Sequence, residues 1–171
     1  MRFADGPATQ VEVTVDAPPQ TVWPLVCDIE LPARFSKEFQ GGEWVVDTSR
    51  GPVEGARFLG RNRNDYVGDW QTTSIVFTCE ANRSFGWKVN DLEKPAATWR
   101  FDLSPAADGS GTVLRQSVVL GPGPSGLTMA IKQQPDKEER IIERRLENLA
   151  RNMQATIEGI KALAEAATLR Q

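Results

Sequence analysis

The sequence predicts an α+β domain in which an antiparallel sheet is followed by a long C-terminal amphipathic helix. Three observations predict it. Between residues 43 and 120, six short runs alternate apolar with polar residues and are separated by clusters of Gly, Pro, Asn and Asp, as in an antiparallel meander. Residues 136–167 carry Ile142, Leu146, Leu149, Met153, Ile157, Ile160 and Ala164 at spacings of 4, 3, 4, 4, 3 and 4, which is one continuous helical face. The chain has 171 residues, 40% of them hydrophobic, enough to bury a core without disulfide or metal support.

Taken in order, residues 1–8 lack periodicity and are expected to fray, leaving 9–168 as the domain. Residues 9–15, TQVEVTV, place Val11, Val13 and Val15 on one face of a first, half-buried strand. A helix follows. Pro18 and Pro19 suit its first turn, where a missing N–H costs nothing, and Val22, Trp23, Leu25 and Val26 form its apolar stripe, which Pro24 should bend. A second short helix is predicted at 31–39, where Phe35 and Phe39 are spaced i, i+4, with Gly41 and Gly42 ending it. The six strands of the meander are read at 43–48, 55–63, 70–80, 84–90, 97–103 and 112–120. The segment GPGPSG, 121–126, stops the last strand; a short helix is expected at 127–133, and Pro135 precedes the long one. At 1.5 Å per residue that helix would be roughly 45–50 Å long. Its other face, with Glu139, Glu143, Arg144, Glu147 and Arg151, reads as solvated surface.

Composition excludes much chemistry. With 20 Lys and Arg against 23 Asp and Glu the formal charge is −3, which argues against non-specific nucleic-acid binding. The absence of His removes Ser-His-Asp and Cys-His catalysis and His-based zinc sites. Cys27 and Cys79 lack CxxC spacing and read as buried free thiols. No metal or cofactor is expected. No basic stretch followed by an apolar run opens the chain and no segment is apolar enough to span a bilayer, so a cytoplasmic location is expected. GPGPSG lacks the Gly-Lys-Ser/Thr ending of a phosphate loop and reads as a linker.

This order of elements, with the phrases VTVDAPPQTVWPLVCD, ELPARFSKEFQGGEW, GARFLGRNRND and PDKEERIIERRLENLARNMQATIEGIKALAE, resembles the helix-grip fold of the SRPBCC superfamily over residues 9–168. That superfamily includes START-type lipid-transfer domains, birch-pollen-allergen-like proteins and bacterial polyketide cyclases and dehydratases. The phrasing is most similar to small bacterial, actinobacterial-type members. The resemblance implies a seven-stranded curved antiparallel sheet around the C-terminal helix, two short helices after strand 1, and a cavity for an apolar ligand between sheet and helix.

Strand parity then chooses the inward side chains. Arginines are expensive to bury unpaired, so Arg57, Arg61 and Arg63 go outward, as a solvated face or an anion-meeting one with Arg50, while Phe58 and Asn62 go inward. The same reasoning sends Arg100, Asp102, Lys88 and Arg115 out. It turns Trp99, Phe101, Leu103, Phe85, Trp87, Val89, Leu114, Gln116, Val118 and Leu120 in. Strand 70–80 is ambiguous; Trp70, Thr72 and Ser74 are assigned to the cavity, with the Ile75 and Phe77 face covered by a neighbouring chain or the N-terminal arm. The candidate ligand-binding set is therefore Phe35, Phe39, Trp44, Phe58, Asn62, Trp70, Thr72, Ser74, Trp87, Trp99, Phe101 and Gln116, with Met153 and Ile157 from the helix. An aromatic wall with a few polar points suits a mostly apolar ligand fixed by a few hydrogen bonds. The alternative is that the rings simply fill the core.

No catalytic residue is assigned, because the inward faces supply no pair of acids. Glu38 and Glu43, at the expected cavity mouth, read as surface charges, with Glu38 in reach of the interior. Three functions fit. The first is binding or carriage of a small hydrophobic ligand such as a lipid, isoprenoid or polyketide. The second is a polyketide cyclase or dehydratase in which Asn62, Thr72, Ser74 or Tyr66 polarises carbonyls. The third is a protein-interaction module with a closed core. The expected partner is the small ligand, with no nucleic acid and no membrane span; a homodimer is compatible with the pattern.

Overall fold

In the computed structural model, which describes residues 1–45 and 51–170, seven strands form one antiparallel sheet. They are β1 (Ala8–Val15), β2 (Phe39–Trp44), β3 (Arg57–Asn64), β4 (Gly68–Glu80), β5 (Ser84–Val89), β6 (Ala97–Pro105) and β7 (Thr112–Leu120), in the spatial order β1-β7-β6-β5-β4-β3-β2. The meander from β2 to β7 follows from its short polar turns. β1 closes against β7, so β1 and β2, neighbours in sequence, lie at opposite edges. The intervening chain crosses between those edges through α1 (Pro19–Val26) and a 3-10 turn at Leu31–Arg34. After β7 come α2 (Gly126–Gln133), capped by the Ser125 hydroxyl accepting from Leu127 N–H, and α3 (Glu138–Leu169). Across its 32 residues α3 runs about 48 Å, packed on β1, α1, α2 and β7 inside the curve of the sheet.

The register fixes the faces. Phe58 pairs with Ser74, Ser74 with Val89, Trp87 with both Val76 and Trp99, Phe85 with Phe101, Phe101 with Gln116 and Gln116 with Val11, and directly opposed residues share a face. The inward face therefore carries no Asp, Glu, Lys or Arg among the described strand residues. The arginines are outside, where Arg63 pairs with Asp69 at 2.6 Å and Arg61 with Glu43 at 3.9 Å.

Four expectations need correction. First, 31–39 is not a helix: the 3-10 turn ends at Arg34, and β2 begins at Phe39. The i, i+4 spacing of Phe35 and Phe39 has no helix beneath it. Gly41 and Gly42 lie inside β2 instead of stopping a helix, because the Phe39 ring lies over the inner face there. A Cβ on Gly42 or Gly60 would meet that ring at 3.3 Å. Second, the strand expected at 43–48 is displaced to Phe39–Trp44; its residues 46–48, like Arg50, lie outside the described residues.

Third, β4 has a bulge between Val76 and Thr78, so strict alternation fails halfway along it. Trp70, Thr72, Ser74 and Val76 do face inward, but Cys79 turns inward as well, opposite Phe85. Phe77 stays on the convex face and is covered by its own sheet. Its ring fills the space above Gly86, where a Cβ would meet it at 2.8 Å, and the Lys88 ammonium lies 5.3 Å from its centroid. The N-terminal arm, fastened to the start of α3, does not supply that cover. Fourth, the segment expected to fray holds a 3-10 turn at Phe3–Asp5. It is fastened to the start of α3, with Glu138 accepting from Phe3 N–H at 2.9 Å and from Arg2 Nη1 at 3.1 Å.

Candidate ligand-binding interior

Between sheet and α3 the apolar side chains divide into two clusters. The larger is built on Val15, Val22, Val26, Phe58, Phe85, Phe101 and Leu114, with Ile157, Ile160 and Ala164 from the second half of α3. The smaller holds Val118, Leu120, Leu149 and Met153, with Phe3, Trp99, Leu127 and Leu146 at its border. A polar seam runs between them. On β7, Gln116 separates Leu114 of one cluster from Val118 of the other; on α3, Thr156 is buried beside Ile157 of the larger cluster and one turn from Met153 of the smaller. Thr156 satisfies itself by donating to the Asn152 carbonyl at 2.9 Å. Gln116 does not: it is only 5% exposed, and its Oε1 has no hydrogen-bond partner among the described residues.

Aromatic rings bridge the seam. Trp44 meets Phe58 edge-on at 5.6 Å, Phe58 meets Trp87 at 5.5 Å, and Trp87 touches Phe85 and Phe101 at 5.5 and 6.1 Å. Trp87 and Trp99 lie nearly parallel, 12° apart with centroids 6.3 Å apart, one ring at the border of each cluster. These separations are those of rings in contact. Phe85 and Phe101 are sealed, whereas Trp44, Trp87 and Trp99 keep partly exposed edges on the same face.

The β2 edge is tied to α3 by a short strap. The Phe35 ring lies against Gly159, where a Cβ would meet it at 2.5 Å; Lys37 N–H donates to Asn152 Oδ1 at 3.0 Å. Glu38 accepts from Arg145 Nη1 and Nη2 at 2.5 and 2.9 Å, and from Asn64 Nδ2 at 3.2 Å. Positions 145, 152 and 159 are seven apart, two helical turns each, so one stripe of α3 receives the whole strap. The Glu38 and Arg145 side chains are 13% and 25% exposed, which makes this a sheltered pair. Glu38 is thus neither a plain surface charge nor a cavity acid, but the fastener of the grip.

Of the candidate residues, the structure brings Trp44, Phe58, Trp87, Trp99, Phe101 and Gln116 together along the seam, with Ser74 buried beside Phe58. Met153 is buried in the smaller cluster and Ile157 is walled into the larger. Asn62 and Trp70 lie toward the β3–β4 hairpin and contribute to a depression of about 470 Å3 at the sheet's end with Gln40, Arg61, Arg63, Asp69 and Gln71. Thr72 lies between that end and the seam. Phe35 and Phe39 serve the strap and the β2 glycines. Tyr66 sits at the hairpin tip, 77% exposed, its hydroxyl accepting from Arg144 Nη1 at 3.4 Å, too far out to act inside.

Trp23, placed in the apolar stripe of α1 from the sequence but not in the ligand set, meets Phe85 with its ring at 6.5 Å. The Glu38–Arg145–Asn64 network was missed: it joins residues 107 apart and leaves no local signal. Burial, with Cys79 nearby, pushes the Cys27 thiol up to about 12. Cys79 is half-buried and donates to the Pro52 carbonyl at 2.9 Å. Among the described residues no group of His, Cys, Asp and Glu is arranged to hold a metal, and no helix is long and apolar enough to cross a membrane.

Comparison with known proteins agrees with this architecture. A family model described as polyketide cyclase / dehydrase and lipid transport matches residues 7–154. Among solved structures, the chain is 30% identical to the Polyketide_cyc-like protein Cgl2372 from Corynebacterium glutamicum. The TM-score is 0.61, over 95% of this chain and 92% of that one. It shares its fold with the di-domain ARO/CYC BexL from the BE-7585A biosynthetic pathway, at 21% identity and TM-score 0.65, covering 92% of this chain and 50% of BexL. It shares it also with Ara h 8.0201, at 15% identity and TM-score 0.54, over 96% and 99% of the two chains. None of the curated proteins matches the chain.

Proposed function

The chain belongs to the polyketide cyclase / dehydrase and lipid transport family, and from that premise we propose that it binds and carries a small, mostly apolar ligand between the sheet and α3. The ligand class is a lipid, isoprenoid or polyketide bearing at least one hydrogen-bonding group. The observation that carries this reading is Gln116. A buried amide oxygen without a partner costs about 1–3 kcal/mol, and folding gains nothing from it that a leucine would not supply better. A ligand hydroxyl seated beside it would remove that penalty. Its diagonal neighbour Trp99 and the adjoining Trp87 present the apolar edges against which the rest of such a molecule would lie. The rings of Trp87 and Trp99 are in contact, so the ligand enters by parting them along the seam.

Carriage fits better than acid–base chemistry, since the inward positions of the described strands offer no carboxylate, lysine or arginine. A cyclase or dehydratase reading is favoured by one observation: the neutral polar groups of Asn62, Thr72, Ser74 and Gln116 share the inner face and could orient carbonyls. Native mass spectrometry of the freshly purified protein, followed by solvent extraction, tests the proposal, together with quenching of tryptophan emission by an added fatty acid or aromatic polyketide. The expected result is a stoichiometric apolar adduct, or saturable quenching that weakens about tenfold in Gln116→Leu, the loss expected for one buried hydrogen bond. A protein that stays empty and unquenched would overturn it in favour of the closed interaction module. Turnover of a poly-β-ketone analogue that is lost in Asn62→Ala would establish the cyclase.

A further inference from the structure

The convex face of the sheet, on the far side from the proposed ligand interior, carries a depression of about 390 Å3 across β4 to β7. Its charged lining comprises Arg83, Arg100 and Arg115 against Glu80 and Asp102, and Glu12 at its rim binds Arg115, so the local charges balance. Most of these groups are committed. Arg100 Nε donates to Asp102 Oδ1 at 2.8 Å, and Arg115 donates through Nε and Nη2 to Glu12 Oε2 at 3.0 and 2.8 Å. Arg83 and Glu80 form no ion pair within 4.0 Å among the described residues, and Ser84 is 3% exposed with an Oγ that lacks any hydrogen-bond partner among them.

These two uncommitted donors are adjacent, and the backbone holds them there. Asn82 takes a left-handed conformation at φ 65°, Arg83 N–H donates to the Glu80 carbonyl at 3.0 Å, and the Arg83 carbonyl accepts from Leu103 N–H at 2.8 Å. A buried hydroxyl without a partner beside an unpaired guanidinium, in a concave surface, is complementary to a compact monoanion. Glu80 and Asp102 would repel a second negative charge, which selects against phosphate. We propose that this depression is a carboxylate-binding site, in which Ser84 Oγ–H and the Arg83 guanidinium donate to the two carboxylate oxygens.

The test is a titration of the full chain followed by amide NMR, with acetate, inorganic phosphate and chloride as probes at constant ionic strength. Acetate is expected to give saturable shifts confined to residues 80–84, 100–104 and 113–115, with a dissociation constant of millimolar order. Ser84→Ala and Arg83→Gln should each weaken it about fivefold to tenfold, as expected for one charge-assisted hydrogen bond, while Lys132→Gln on α2 leaves it unchanged. Ser84→Ala removes only the orphan hydroxyl, so it decides the matter even if Arg83→Gln perturbs folding. Shifts that rise linearly to about 100 mM, or that survive Ser84→Ala, would overturn the site as mere charge screening. Phosphate binding more tightly than acetate would overturn the assignment to carboxylates.

Discussion

Phe101 and Trp99 are two residues apart on β6, point into the same interior and are flanked by the same strands, yet they stand in different surroundings. Phe101 is 1% exposed, sealed in the larger cluster with α1 and the second half of α3. Trp99, toward the first half of α3, keeps an exposed edge and borders the smaller cluster. The difference lies in what covers each ring, since α1 crosses only one end of the grip. Both ends hold buried cores, Phe101 in one and Val118, Leu149 and Met153 in the other; Trp99 lies at the partly exposed border of the second, and the unpaired Gln116 lies between them. Burial of aromatic side chains is therefore a poor guide to function in this fold until their cover is known.

The comparison is broken most directly by truncating the two rings. Phe101→Ala should lower unfolding stability by about 3–5 kcal/mol, because the sealed cluster cannot relax around the cavity. Trp99→Ala removes a larger ring but one already partly hydrated, and should lower it by less than half of that while abolishing apolar-ligand binding. Urea denaturation of both variants checks the ratio. Equal losses would mean that the two ends are equally closed.

The strap comes next. Arg145→Met leaves the sheltered Glu38 carboxylate without its cation, an expected loss of about 2 kcal/mol, below that of a fully buried pair because both side chains retain some water. The amides of Lys37 and Glu38 should exchange faster with solvent in that variant, while those of β6 and β7 remain protected. Uniform loss of protection would show that the strap is part of the sealed end and not a separate fastening.

A smaller effect tests the sealed end by pH. The Cys27 thiol is raised from about 9.0 to about 12, first by burial and then by Cys79, so the folded state holds its proton after the unfolded chain has released it. The stabilisation is complete below pH 9 and is lost as pH rises from 9 toward 12, at a slope of about 1 kcal/mol per pH unit. Cys27→Val should remove that slope in chemical denaturation measured between pH 8 and 10.5, with other alkaline titrations common to both proteins. An unchanged slope would place water next to the thiol.

Much of this architecture was legible in the residues. The period of two on β3, β5, β6 and β7, with arginines and lysine on one parity, put the correct faces inward, and the seven-residue spacing of Ile142, Leu149 and the positions between them identified the helix that fills the grip. What failed was local irregularity. Two phenylalanines four apart imitate a helix when Pro32 and a 3-10 turn precede a strand, and a single-residue bulge at Phe77 reverses the parity of everything after it, which no count of alternating residues detects. The seam failed for another reason. Parity turned Gln116 inward, but whether a buried amide finds a partner depends on three strands and a helix meeting around it. The Glu38–Arg145 fastening depends likewise on residues far apart in the chain.

That dependence gives the comparison its sharpest and energetically smallest test. Gln116→Leu keeps the approximate volume of the side chain and removes an amide whose oxygen makes no bond, so it should leave stability unchanged or raise it by up to about 1 kcal/mol. Under the proposed function, the Gln116 amide gains its partner only when a ligand lies in the interior. Measured side by side, urea denaturation of the empty variant and apolar-probe titration should move in opposite senses, with equal or greater stability and about tenfold weaker binding. A clear loss of stability would mean that Gln116 is already satisfied in the empty protein, and the seam would then be an ordinary junction between two packed clusters.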